Sequence, residues 1–363
     1  MSTAADPPPP RPAPAFAPPP PRRKGWGGFL LTLLLISILA NVILYAAAYG
    51  TNASSSDSDL SEKPVVLVKS EFPQPVLPEA KIAVISLEGA IMEGDGFVKK
   101  QIDAVRNDDK VKGIVLRVDS PGGTVYGSEY IFHHLTKLMR DKKLPTVVSM
   151  GSLAASGGYY VAMAVGEQKD PAGKLPENVI FAEPATWTGS IGVIIPHYDA
   201  SGLADWAKIK EDAIKSHPLK NLGSPLHPMT EEERKILQAL VDESFATFKD
   251  RVKFGRPTMT DETLTTVATG QIFTAKQAVG FGLVDKEGYL EDAINRVMEL
   301  AKLDREKTRV IKFKEPSVWF DTKLLGEATS RPMGATLDVK SFLELNTPRA
   351  FYLFNWTGNL NAR

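Results

Sequence analysis

The chain has 363 residues, with 43 Lys and Arg balanced by 43 Asp and Glu, and it contains no cysteine. The lack of cysteine excludes disulfides, a cysteine nucleophile and thiolate-bound metals. The balanced charge gives no electrostatic reason to expect nucleic acid as a partner, and the length allows one large domain or two modest ones with appendages.

The N-terminal region predicts a membrane anchor. Residues 1–25 are rich in proline and are expected to form a disordered cytoplasmic tail. Residues 26–49 include the uncharged run 29–48, which as a helix would be about 30 Å long and could cross a bilayer core. Basic residues 22–24 precede this run, which favours a cytoplasmic N-terminus. The sequence therefore predicts a single-pass transmembrane helix in the cytoplasmic (inner) membrane with an extracytoplasmic body, although the alanines at 46–48 would allow cleavage.

The body of the chain predicts an α/β fold. Residues 50–80 are expected to form an extended linker, residues 81–304 a folded domain, and residues 305–363 a tail without a clear pattern. Predicted strands cover 82–87, 113–119, 146–150, 179–181, 191–195 and 282–285. One predicted helix ends near residue 109. The other predicted helices cover 127–140, 159–164, 230–253, 274–280 and 289–303. Alternating strands and helices favour a mostly parallel sheet, whose active site lies at the carboxyl ends of the strands.

Ser156 lies in the run AASGGYY, where an apolar strand pattern gives way to a helical one. Small neighbours allow a sharp turn and the close approach of a substrate chain. The glycine N–H groups of the loop at 120–123, together with that of Gly157, could bind an oxyanion formed at Ser156. The alternative interpretation of such a serine is an ordinary turn or a helix cap. The alternative interpretation of the loop glycines is an ordinary strand-to-helix turn without a catalytic role.

Three motifs, RVDSPGG at 117–123, SMGSLAASGGYY at 149–160 and TGSIGV at 188–193, together resemble the signal peptide peptidase A family. The likeness extends from about residue 81 to 303 and is closest to the short members with one anchor. It implies a crotonase-like, Clp-protease-like fold and peptide cleavage by a serine–lysine dyad. It also implies that Ser156 is the nucleophile, Gly123 an oxyanion donor and Ser190 the residue that orients the lysine.

The position of the lysine follows from the same resemblance. In the family it precedes a Ser-Pro pair, and here the corresponding stretch is IKSHPLKNLGSP at 214–225. Position favours Lys220, Lys215 is the rival, and His217 is a competing base. Because a lysine accepts a proton only when neutral, we expect Lys220 to be desolvated, to activate Ser156 and then to protonate the leaving amine.

These patterns predict a membrane-anchored serine endopeptidase that cleaves signal peptides after their release. The resemblance implies a homo-oligomer, and no histidine has metal-ligand spacing with an acidic partner, so neither a metal nor a cofactor is expected. Two alternatives stay open: a catalytically silent peptide-binding scaffold, and a crotonase-type acyl-CoA enzyme. Residues 166–178 look like an insertion forming a surface loop, and residues 271–275 depart from the family's usual Arg and Gly.

Overall fold

The structure is a computed structural model that describes residues 37, 61–64, 78–314 and 350–353. The chain divides into two units, Met1–Ser58 and Asp59–Arg363, and the fold below is that of the second. The predicted tail at 1–25 and all of the predicted anchor except Ser37 lie outside the described residues. Within the ranges above, no helix is both long and apolar enough to cross a bilayer.

A mostly parallel sheet forms the centre of the second unit. The described strands are β1 (Ser61–Pro64), β2 (Ala80–Glu88), β3 (Val111–Ser120), β4 (Gly122–Thr124), β5 (Thr146–Ala155), β6 (Ile180–Ala182), β7 (Trp187–Gly189), β8 (Ile272–Thr274), β9 (Lys286–Glu287), β10 (Thr308–Lys314) and β11 (Phe351–Leu353). The order along the sheet is β1-β10-β2-β3-β5-β6-β9, while β7 continues from β5 and pairs with β8. Only the β1–β10 and β7–β8 pairs of this sheet are antiparallel, so the predicted α/β class is confirmed for the part of the chain described.

Helices cover both faces of the sheet. They are α1 (Phe97–Asn107), α2 (Val125–Lys142), α3 (Gly157–Ala162), α4 (Ser201–Trp206), α5 (Glu231–Gly255), α6 (Asp261–Val267), α7 (Ala275–Gly280) and α8 (Leu290–Ala301). Because side chains alternate along a strand, Ile82 and Val84 face the cluster that includes Val297 of α8. Ala83 and Ile85 face the larger cluster on the opposite side. Both faces are therefore buried, as the near-continuous apolar runs of parallel strands require.

Several elements differ from the sequence prediction. The prediction of a strand at 191–195 is wrong. The strand in this region is β7, which ends at Gly189. The chain leaves the sheet at Ser190, whose backbone φ is 51°. The loop at 120–123 includes the start of the short strand β4. The strand predicted at 282–285 is wrong: these residues form a turn and a bend, and the strand that follows them is β9. β1 lies within the predicted linker and β10 within the predicted tail, so the sheet extends beyond 81–304.

A partly buried ion pair lies at the β6–β9 end of the sheet. Arg256 Nη2 lies 2.7 Å from Asp285 Oδ1. The other Asp285 oxygen accepts hydrogen bonds from the backbone N–H groups of Val179 at 2.8 Å and Ile180 at 2.9 Å. The carboxylate thus joins the end of α5 to the start of β6.

Replacing Asp285 with alanine is expected to lower the free energy of unfolding by about 3 kcal/mol, because it leaves a buried cation and two buried N–H groups without partners. Urea denaturation monitored by circular dichroism measures this change. The matched control is Glu299→Ala, which removes an ion pair with Arg296 that is exposed on the glutamate side and should change stability by less than about 0.5 kcal/mol. Equal effects of the two substitutions would contradict the assignment.

Candidate active site

Ser156 occupies a sharp turn between β5 and α3. Its backbone φ is 53° and its ψ is −115°, a conformation that is costly for a residue with a side chain. Its N–H donates to the Gly189 carbonyl oxygen at 2.8 Å, and the residue is only 1% exposed. A strained strand-to-helix turn of this kind is how α/β-hydrolases present a nucleophilic serine. The structure therefore holds Ser156 in a conformation suited to nucleophilic attack.

Glycines surround this turn because no side chain would fit there. A Cβ atom on Gly122 would lie 2.5 Å from the Gly157 nitrogen and 3.1 Å from Ser156 Cβ. A Cβ atom on Gly157 would lie 3.1 Å from the Gly123 nitrogen and 2.4 Å from Ser128 Oγ. The two backbone N–H groups predicted as oxyanion donors, those of Gly123 and Gly157, are thus brought together beside Ser156.

Replacing Gly123 with alanine is expected to reduce peptidase activity about 10²- to 10³-fold, the usual effect of losing one oxyanion donor. The new Cβ atom would lie 1.9 Å from the Ile91 carbonyl oxygen, so β4 must move. The kcat of peptide hydrolysis measures the loss. Gly96→Ala is the matched control, because nothing lies within 4 Å of its Cβ position; an active Gly123→Ala enzyme would contradict the assignment.

Ser190 lies close to the turn at Ser156, and its predicted role of orienting the lysine stays a prediction. It is buried, and it directly follows Gly189, which pairs with Ala155 and accepts the Ser156 N–H. Its own backbone N–H donates to the Gln271 carbonyl oxygen at 2.7 Å. A cavity of about 590 Å³ extends from Ser190 to Gln238 and Phe245 of α5. A further side chain therefore has room to approach Ser190.

Lys220 is not brought to this site within one chain. It lies in a short 3-10 turn, Pro218–Asn221, and it is exposed, as is Lys215. In the part of the chain that the structure describes, neither a hydrogen bond nor an ion pair joins the Lys220 ammonium group to Ser156 or Ser190. The His217 Nδ1 atom accepts the Leu219 N–H at 3.2 Å, so this histidine acts as a turn cap.

The sequence did not reveal a polar and aromatic cluster on the other side of Ser156. Tyr160 of α3 donates a short hydrogen bond to the Glu129 carboxylate, and Arg251 Nη2 lies 2.9 Å from the same carboxylate. Burial, with the hydrogen bond to Glu129, raises the pKa of the Tyr160 phenol, which therefore stays neutral. Tyr352 of β11 stacks on Tyr160. The aromatic run at 351–354 was the one available signal for this cluster.

The described residues contain no group of three or more His, Asp or Glu side chains arranged to hold a metal ion. The predicted loop at 166–178 begins inside the 3-10 turn Met163–Gln168 and continues as an irregular segment that is exposed or half-buried. Neither feature adds a reactive group to the site around Ser156.

Comparisons with known proteins agree with this geometry. Residues 139–304 match Peptidase family S49. A Synechocystis protein provisionally named as a protease is 37% identical over 237 residues, covering 65% of this chain and 80% of that protein. An Enterococcus faecium protein provisionally named signal peptide peptidase is 35% identical, covering 64% of this chain and 63% of its own length.

A third relative, Protease 4 of Salmonella typhi, is 35% identical over 230 residues. The match covers 61% of this chain and 35% of that protein, so the chain spans about a third of the length of this relative. Family, fold class and the turn at Ser156 point to the same assignment. The chain belongs to peptidase family S49, the signal peptide peptidase A family.

Proposed function

We propose that this protein is a serine endopeptidase that uses a Ser156–Lys220 dyad on a crotonase-like, Clp-protease-like fold. The observation that carries the proposal is the strained turn at Ser156 beside the backbone N–H groups of Gly123 and Gly157. A hydroxyl in a strained turn of this kind is positioned as nucleophilic serines are. The two neighbouring backbone N–H groups could donate hydrogen bonds to the negative oxygen that forms during the attack. Membership of a peptidase family supports the same chemistry.

The reaction follows from these groups. The neutral amine of Lys220 takes the proton of Ser156 Oγ as that oxygen attacks the peptide carbonyl carbon. The N–H groups of Gly123 and Gly157 stabilise the negative carbonyl oxygen. The C–N bond then breaks, the lysine returns the proton to the leaving amine, and water hydrolyses the ester with the same lysine as base. Ser190 would hold the amine without stabilising its charge as a carboxylate would.

The lysine is supplied, in this proposal, by a second copy of the chain. Residues 198–224, here called the arm, include Lys220 and expose large apolar side chains: Tyr198, Leu203, Trp206, Ile209 and Ile214. Trp206 is 80% exposed, and several large apolar side chains exposed along one segment are typical of an interaction surface. An arm that packs on a neighbouring copy would bury both the apolar side chains and the lysine. The cavity beside Ser190 offers space for that lysine.

The substrates in this proposal are signal peptides and other membrane-associated peptides after their release. The uncharged run at 29–48 supports a membrane-anchored protein of the cytoplasmic (inner) membrane with its catalytic domain on the extracytoplasmic side. The printed name of the Enterococcus faecium relative supports the substrate class. An anchored enzyme would meet such peptides where they are released.

Digestion of a synthetic signal peptide by the full-length protein in detergent tests the proposal. Mass spectrometry should find internal cleavage by the wild-type protein and none by Ser156→Ala. A wild-type protein that binds the peptide but leaves it intact would favour a peptide-binding scaffold. Thioester hydrolysis of an acyl-CoA without peptide cleavage would favour a crotonase-type enzyme; either result overturns the proposal.

A further inference from the structure

β5 contains a bulge shortly before the turn at Ser156. Val118 of β3 is opposite Met150 of β5. Ser120 lies two positions further along β3, but its partner Ala154 lies four positions further along β5. Two extra residues are therefore inserted into β5 at this place. Bulges are common beside active sites, where they redirect a side chain.

The bulge sets how far Ser156 extends beyond β3. With uniform pairing, Ser152 would stand opposite Ser120, and Ser156 would lie two residues, or about 7 Å, further along the sheet. The bulge takes up these two residues. Ser156 therefore ends beside the loop that contains Gly122 and Gly123, where the Gly122 Cβ position is 3.1 Å from Ser156 Cβ. The distance between the serine and this loop thus depends on the bulge.

The Asp119 carboxylate holds the bulge in place. Its Oδ1 atom accepts the backbone N–H of Leu153 at 3.1 Å and the hydroxyl of Ser152 at 2.8 Å. Residues of a bulge lack their usual partners on the neighbouring strand, and here the carboxylate at the end of β3 bonds to the bulged backbone instead. Because Ser152 is exposed, water can replace its bond. The bond to the Leu153 N–H is therefore the one that fixes the backbone.

Further contacts fix the other side of the bulge. The Thr186 hydroxyl donates to the Gly151 carbonyl oxygen at 2.6 Å. Gly151 has little room for a side chain, because a Cβ atom there would lie 3.0 Å from Asp119 Oδ2. At the bulge β5 also changes its neighbour, from β6 at 148–150 to β7 at 153–155. Asp119 thus packs directly on the backbone at the point where β5 turns toward the site.

An ion pair beside the bulge links the strands on which it rests. Arg117 Nη2 lies 2.7 Å from Glu183 Oε1, and Arg117 Nη1 donates to Ser149 Oγ at 2.8 Å. These bonds join β3 to β5 and to the residue that follows β6. A substitution at Asp119 leaves these partners of Arg117 in place and acts on the bulge.

We propose that Asp119 is a positioning residue for the peptidase reaction, and that it acts through the bulge by holding Ser156 beside the oxyanion donors. This inference rests on the proposed peptidase function and adds a residue to it. Asp119 supplies an acceptor at a fixed position and takes no part in proton transfer. Since a displacement of about 1 Å at a reacting group can lower a rate about 10²-fold, a small shift of the bulge has a large effect on kcat.

Three substitutions separate the position of the acceptor from its charge. Asp119→Asn keeps the Oδ1 acceptor and removes the charge, whereas Asp119→Glu keeps the charge and moves the carboxylate by one methylene group. With the full-length protein and a quenched fluorescent signal peptide, kcat of Asp119→Asn should stay within about fivefold of the wild type. Asp119→Glu and Asp119→Ala should lose about 10²-fold in kcat. KM should change by less than about threefold, because substrate binding is not what is lost.

Asp170→Ala is the matched control. The Asp170 Oδ1 atom also accepts two backbone N–H groups, those of Ala172 and Lys174, both at 2.9 Å. This carboxylate is exposed and lies in the loop at 166–178. Its removal should leave kcat and KM unchanged, since the loop adds no group to the site.

Circular dichroism and the rate at which a fluorophosphonate labels Ser156 complete the test. In Asp119→Glu the labelling rate should fall with kcat while the circular dichroism spectrum stays native. With an active wild type, three results would overturn this inference and leave the proposed function intact: Asp119→Glu with the wild-type kcat, Asp119→Asn as slow as Asp119→Ala, or Asp119→Glu that does not fold. A wild-type protein that cleaves no peptide would remove the proposed function itself.

Discussion

Replacing Ser156 with alanine is expected to lower peptide hydrolysis by about 10⁴-fold or more while leaving the fold intact. The expected loss is that large because, in the proposed mechanism, the hydroxyl is the atom that forms the acyl bond, and the oxyanion donors alone would supply only residual catalysis. The substitution removes one buried oxygen and adds no bulk. Steady-state hydrolysis of a quenched fluorescent signal peptide, with thermal denaturation in parallel, measures both quantities.

Ser152 provides the matched control for this prediction. It belongs to the same motif, but it is exposed and its Oγ donates to Asp119 Oδ1 at 2.8 Å. Ser152→Ala should therefore keep most of the wild-type rate. If Ser156→Ala retained the wild-type rate, or if only Ser152→Ala abolished it, the nucleophile would have been assigned to the wrong serine.

The second large effect concerns Lys220, which the proposed dyad takes from a second copy of the chain. Lys220→Ala should reduce activity about 10²- to 10⁴-fold, the range for loss of a general acid–base group. Since Lys220 is exposed in its own chain, mixing Ser156→Ala subunits with Lys220→Ala subunits should restore measurable activity. Each mixed contact would then place an intact serine beside an intact lysine.

The mixing experiment has two internal controls. Lys215→Ala should remain active, because Lys215 is the rival that this proposal rejects. Ser156→Ala mixed with a second inactive serine variant, Ser156→Gly, should stay inactive. Mixed oligomers of Ser156→Ala and Lys220→Ala that form but show no activity would contradict a dyad shared between copies.

The sequence predicted the α/β fold class and the sharp turn at Ser156 because the relevant signals are local. The capping box at the start of α5 is an example: Thr230 Oγ1 accepts the Glu233 N–H at 3.2 Å, and the Glu233 carboxylate accepts the Thr230 N–H at 2.8 Å. The turn at Ser156 was likewise visible, because small residues follow an apolar strand pattern. Such features depend on neighbours a few positions away.

Features that depend on distant parts of the chain were not predictable in the same way. β11 has only a short aromatic run of its own, and its partner β4 lies more than two hundred positions earlier. The strand expected at 191–195 has the right composition, yet Ser190 turns the chain away and donates to Gln271 instead. Lys220 is exposed together with most of the arm around it, which the local sequence did not predict. At β11 and at 191–195, tertiary contacts override the local pattern.

Covalent labelling tests the central claim most directly. A fluorophosphonate probe reacts with a serine oxygen only where a base and an oxyanion site activate it. Peptide mapping of the labelled full-length protein should find one adduct, on Ser156, which is lost in both Ser156→Ala and Lys220→Ala. Labelling that persists in Ser156→Ala, or an adduct on another residue, would contradict the assignment of Ser156 as the nucleophile.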